Sequence, residues 1–347
     1  MVLFCNDDAQ MWWSDVFGVS VNLIRSIAMV ELAVKEGWVE PPNIVKRPYG
    51  ILLQQTLAYL RDSIGARFSE LCEEVLSLYP FSDISREDYR TLVKHMVGRG
   101  LLTYLNDGTL VFGPDGERIA FGKGFPVVFA GSKDIEIRFD GKIIGTVQKI
   151  PEIGGNILLS GRVWAIKSVT PDGSVADVVE SEGDTDTSWK SGAPEYHRNV
   201  LRKMREVLLS DEQYDYVDED GLRRLSESRK AAREAGMDRL MSSIGDMTRI
   251  TPWIGSRQYD TMYRMLRAMP GISVVRHLEP YIIDIRDDGT YSDIMSALRQ
   301  YSRNFDLVEL VTYKDDLVVG KYDDLVPEVL LMKEFAVDRL DSDFDLK

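Results

Sequence analysis

Residues 85–112 read SREDYRTLVKHMVGRGLLTYLNDGTLVF, and this stretch sets the architecture of what surrounds it. Ser85 supplies an N-cap hydroxyl, and Glu87 and Asp88 put negative charge at the positive end of a helix dipole. Tyr89, Leu92, Val93 and Met96 then recur at helical spacing as an apolar stripe. Arg86, Arg90 and Lys94 fall every four residues on a different face. Such a face either meets nucleic-acid phosphates or is a solvated surface with ordinary ion pairs. The pieces LLTYL and TLVFG flank Asn106-Asp107-Gly108, a turn suited to a two-stranded hairpin.

Working upstream, Leu52, Leu53, Leu57 and Leu60 mark a helix over 51–64, and a second follows over 68–78. Three helices and a hairpin over residues 41–118 describe a winged-helix domain, whose third helix is the one that normally meets DNA. Residues 1–40 hold a short apolar strand at 1–4 and a helix from Ala9 to Glu36, interrupted near Gly18 and ended by Gly37.

Downstream the period changes to two. FPVVFA, IEIRF, KIIGTV, ILLSGRVWAIKSV and VADVV, punctuated by Asp140-Gly141 and Pro171-Asp172-Gly173, predict a small β-barrel over 119–192. Lys123 to Thr170 carries seven basic against four acidic residues, so this part is locally basic. A polar loop with Trp189 leads into an α+β domain over 193–347. Helices are expected there at 195–209, 219–235, 255–269, 291–302 and 324–340, with strands at Ile272–Arg276 and Tyr281–Ile285. The expected fold class is therefore multidomain α+β: a winged helix, a small barrel and an α-rich terminal domain. A length of 347 residues agrees, since single cores stop growing at about 250 to 300 residues.

A formal charge of -14 opposes phosphate binding only if it is evenly spread. Residues 306–347 hold twelve acidic against five basic residues, which is half the excess. Cys5 and Cys72 form neither a metal spacing nor a disulfide framework, and no apolar run reaches about 18 residues. These features lead us to expect a cytoplasmic chain with no membrane partner.

Nucleotide chemistry has no motif here. There is no G-x-x-x-x-G-K-[ST] loop, and Gly122-Lys123-Gly124 precedes a strand where a phosphate loop would open a helix. His95, His197 and His277 are scattered, and lone histidines are usually structural. Asp218-Glu219-Asp220 either holds Mg²⁺ or simply faces a helix dipole. In Thr251-Pro252-Trp253-Ile254-Gly255-Ser256-Arg257, Trp253 either stacks a base or fills the core, and Arg257 stands where it would neutralise a phosphate. Lys167, within the locally basic section from Lys123 to Thr170, completes the nucleic-acid-binding candidates.

Several stretches, taken together and in order, resemble the region that follows the last helicase motif in the large helicase-related (Lhr) family of superfamily-two DEAD/DEAH-box proteins. They are VLFCNDDAQ (2–10), IRSIAMVELAVKEGWVEPPNIVKRPYGILLQQTLAYL (24–60), YPFSDISREDY (79–89), VKHMVGRGLL (93–102), KIIGTVQ (142–148), LLSGRVWAIKSV (158–169), HRNVLRKMREVLLSDEQY (197–214), TPWIGSR (251–257) and GKYDDLVPEVLLMKEFAVDRLD (320–341). The resemblance implies that residues 1–40 end a second RecA-like domain and that the rest guides single-stranded DNA without catalysing anything itself. It also implies that ATP and Mg²⁺ belong to helicase core domains, in cis or in a separate subunit, whose motifs would lie before Met1. Two other classes stay open: an interaction scaffold whose acidic tail is its contact surface, and a base-flipping DNA-modifying enzyme.

Overall fold

The computed structural model describes residues 18–128, 135–147, 150, 153–159, 162–171, 173–181, 195–311 and 317–344. The expected strand at 1–4, the first part of the helix from Ala9, Cys5 and Trp189 lie outside them. The fold is mixed α+β with several sheets. Two compact units account for it: described residues up to 128 together with those from Tyr196 onward, and described residues within Gly131–Glu195. No described helix is long and apolar enough to cross a membrane.

Among the described residues the first unit opens with α1 (Val21–Val30), which runs on as a π turn over Glu31–Lys35. Then come α2 (Tyr49–Asp62), α3 (Phe68–Leu71) with a π turn over Cys72–Leu76, and α4 (Arg86–Gly98). Ser85 caps α4 as its sequence dictates, the hydroxyl accepting the Asp88 backbone N–H at 3.0 Å. The stripe Tyr89, Leu92, Val93 and Met96 is sealed in the core. Strands β1 (Leu102–Tyr104) and β2 (Leu110–Phe112) pair antiparallel, and Gly108 turns between them at φ 82°. A short α5 (Pro114–Ala120) lies so close to the end of α4 that a Cβ on Gly116 would overlap the Leu101 carbonyl oxygen.

The second unit is a five-stranded sheet of β3 (Ile135–Phe139), β4 (Lys142–Val147), β5 (Asn156–Leu159), β6 (Arg162–Val169) and β7 (Val175–Glu180). Its order is β4-β3-β7-β6-β5, with β3 and β7 parallel and the other neighbours antiparallel. The alternation read from sequence holds: Ala176 and Val178 point into a core with Ile137, Ile157, Trp164 and Ile166. Barrel closure does not follow. The last strand inserts beside the first, and the edge strands β4 and β5 do not pair among the described residues, so the sheet there is open.

Back in the first unit the chain forms α6 (Arg198–Leu209), α7 (Glu219–Glu234), β8 (Met241–Ile244), β9 (Met247–Ile250), α8 (Ser256–Ala268), β10 (Ile272–Leu278), β11 (Ile282–Asp287), α9 (Ile294–Asn304) and α10 (Glu328–Asp338). The four strands make an antiparallel sheet in the order β10-β11-β9-β8. Helix α10 begins after Pro327, and a 3-10 turn over Asp323–Leu325 precedes it, so the helix expected over 324–340 is split by the proline.

Two clusters hold this unit together. Ile24, Ile27 and Ala28 of α1 pack with Val200, Met204 and Leu208 of α6, and Trp253 and Tyr281 join them. The larger core runs from Leu52, Leu57, Leu92 and Met96 through Tyr259, Met262 and Ile283 to Leu330 and Leu331. Segments 41–118 and 193–347, expected as separate domains, thus share one apolar interior.

Candidate functional site

On α4 the three expected cations are exposed and share one face. Arg90 is fixed from two sides. Its Nη1 donates to Glu87 Oε2 at 2.9 Å, and its guanidinium lies 5.1 Å from the centre of the Phe68 ring. A guanidinium held over an aromatic keeps donors for a further acceptor while losing freedom in advance, which lowers the entropy cost of gripping a phosphate. Among the described residues, Arg86 and Lys94 have no ion-pair partner.

The helix carrying them is anchored by a buried acid. Asp88 receives the Tyr49 hydroxyl at 3.1 Å and the Lys333 ammonium at 2.5 Å. Burial pushes its carboxyl up, but the hydrogen bonds from Lys333, Tyr49 and Ser85 hold it below the usual carboxylate value. Asp88 is therefore ionised at neutral pH, its charge matched from behind and kept away from the basic face.

Five acids of the segment 306–347 are engaged by groups of their own chain. Asp338 accepts the backbone N–H groups of Lys46 and Arg47, Glu334 accepts that of Tyr49, and Asp323 accepts those of Val319 and Gly320. Asp341 and Asp343 face Arg198. These carboxylates answer charges and donors of their own chain, so the formal excess overstates the repulsion a phosphate would meet at α4.

The remaining candidates are dispersed. Lys167 is exposed in the second unit, on β6. Arg257 is half-buried in the first turn of α8. Trp253 is enclosed: it is 6% exposed, its indole N–H donates to the Met237 carbonyl at 3.0 Å, and Tyr281 meets it edge-on at 5.9 Å. Of its two readings, core packing is the one this arrangement carries, because no ring face is open to a base.

The other motifs resolve locally. Asp218 caps α7 through the Gly221 N–H at 2.8 Å, while Asp220 pairs with Arg223 and Arg224. The Gly124 carbonyl of the glycine-lysine-glycine turn accepts Lys321. His197 caps α6 and lies 5.0 Å from the Trp38 ring, and His95 is half-buried. Burial lowers the pKa of both.

Sequence reasoning passed over Tyr263, whose ring lies 4.3 Å from His277, and Phe139, which packs on Trp164. Tyr263 and Arg267 are one helical turn apart, a spacing that can be read locally; pairing with His277 required the sheet.

The chain matches no protein-family model, no curated protein and no solved structure.

Proposed function

We propose that this chain is a non-catalytic module that binds and guides a nucleic-acid strand, similar to the accessory region of an Lhr-like helicase. The observation that carries the reading is the exposed row Arg86, Arg90 and Lys94 on α4. Helices α2, α3 and α4 with the hairpin β1–β2 are read as a winged helix whose third helix bears this row. Phosphate contacts of this kind position a strand without reading its sequence. ATP and Mg²⁺ enter only through the helicase core domains that the resemblance implies, in cis or as a separate subunit.

Fluorescence anisotropy of a labelled single strand, titrated across salt, tests the proposal. Affinity should fall steeply as salt rises, because each phosphate neutralised by Lys or Arg releases counterions. Binding that ignores salt would favour a protein-interaction scaffold.

A further inference from the structure

The second unit contains a cleft of about 430 Å³, inside the range of roughly 300 to 1,000 Å³ typical of ligand sites. Its walls include Arg138, Phe139, Lys167, Ser168, Asp177 and Val179. The register of the sheet explains why it exists. Parallel pairing of β3 with β7 ends at Arg138↔Asp177, after which β3 leaves β7 and turns into β4. The turn is tight because Asp140 and Gly141 both take left-handed backbone, at φ 48° and 76°.

Two irregularities flank this fork. The β3–β4 ladder shifts register between Ile137 and Arg138, and the β6–β7 ladder shifts between Ile166 and Ser168. In the second case Lys167 is the extra residue. A bulge bends its strand and re-aims the side chain it carries, and bulges are common beside binding sites.

The lining combines fixed and available groups. Arg138 grips Asp177 through two hydrogen bonds of 2.7 and 3.1 Å, and the Ser168 hydroxyl donates to the same carboxylate at 3.3 Å. That acid is thereby satisfied. Lys167 is exposed, and among the described residues no carboxylate forms an ion pair with it. Phe139 is half-buried, its ring 4.8 Å from Trp164, whose indole N–H is tied to the Leu159 carbonyl. Val179 adds an exposed apolar wall.

An ammonium and a braced aromatic around one concavity suit a ligand with one anionic end and one flat apolar end. We propose that this cleft binds a phosphate-bearing nucleotide, as one unit of a single strand, with its phosphate on Lys167 and its base against Phe139 and Val179. The assignment to a strand rests on the function proposed above. The chemistry of the cleft is the same for a free nucleotide. An acidic peptide has the charge but not the flat face.

The test uses the full chain, wild type and as Lys167→Gln, Lys167→Glu and Phe139→Leu, against a labelled twelve-residue oligothymidylate, thymidine monophosphate and a polyglutamate competitor. Lys167→Gln should weaken strand binding about fivefold and lower the salt slope by about 0.7, one phosphate contact. Lys167→Glu should weaken it further, and Phe139→Leu by about tenfold through lost stacking. A strand carrying 4-thiothymidine should crosslink within 138–141 or 166–168 on irradiation.

If the strand binds but both Lys167 variants keep wild-type affinity and slope, or crosslinks fall only within Arg86–Gly98, the cleft proposal is wrong and the strand-binding reading survives. Equal displacement by polyglutamate also removes the nucleotide. If no strand binds, the proposed function fails; Lys167-dependent binding of the monophosphate then keeps the cleft as a free-nucleotide site, and its absence ends both.

Discussion

Arg249 holds Asp284 through two hydrogen bonds of 2.8 and 3.0 Å inside a sheet, and the two side chains are only 5% and 1% exposed. The register makes the pair: Asp284 on β11 stands opposite Arg249 on β9 and, on its other side, opposite Arg276 on β10. Burial pushes the carboxyl up, but the two guanidiniums hold it below the usual range, so it stays charged.

Breaking that pair from the inside should be costly. Arg249→Met leaves a buried carboxylate with only the outer guanidinium, and should lower stability by about 3 kcal/mol. The double variant Arg249→Met/Asp284→Leu should recover much of the loss. Urea unfolding of the wild type, both single variants and the double variant measures the coupling. Independent, additive losses would mean that the two charges do not depend on each other.

Glu334 should make stability fall as pH rises. Burial and the nearby carboxylates of Asp323 and Asp338 push its pKa from 4.5 to about 8, against the opposing effects of the Tyr49 N–H and Arg339. The folded chain therefore keeps a proton that the unfolded chain releases, so stability declines between these two values and levels off above about 8. Melting at pH 6 and pH 9 should show the decline in wild type and a weaker one in Glu334→Gln. An equal decline in both would assign it to other groups.

Trp253→Ala should cost roughly 3 to 5 kcal/mol of stability through lost burial and the cavity left behind. Its backbone φ of 50° adds to the case, since few side chains occupy that region without close packing around them. Strand affinity per folded molecule should not change. An affinity loss with an unchanged melting midpoint would return Trp253 to the binding surface.

On α4, Arg90→Ala with Lys94→Ala should weaken binding about equally for unrelated strand sequences and lower the salt slope by about 0.7 per lost contact. Both residues are exposed, so the fold should tolerate the change. Anisotropy at three or more salt concentrations suffices, and an unaltered slope would place this face outside the interface.

The parts that could be read from sequence are those encoded over a few residues. Ser85 and the stripe from Tyr89 to Met96 announce α4 because cap and face both lie within the helix. The strands β8 and β9 carry no such signal: Met241–Ile244 and Met247–Ile250 are short, and Ser242, Ser243, Thr248 and Arg249 blur the alternation. Arg249 acquires its meaning from Asp284, 35 positions away. The cleft depends on two register shifts, which local periodicity cannot announce, so Lys167 was readable as a basic strand residue but not as the corner of a cavity. Trp253 remained ambiguous because its neighbours in sequence are not its neighbours in space.

The contact of Asp338 with the Lys46 and Arg47 amides spans 292 and 291 positions. During synthesis α2, α3 and α4 emerge long before Leu330 and Leu331, which complete their core. At about 5 to 20 residues per second the wait is on the order of 10 to 50 s. Through that interval the nascent segment displays apolar surface that α10 later covers, so slow translation or loss of α10 should leave it a client of chaperones. Contacts this distant also make refolding slow. Helix α10 thus closes this core, and its Asp338 has a deadline as well as a place.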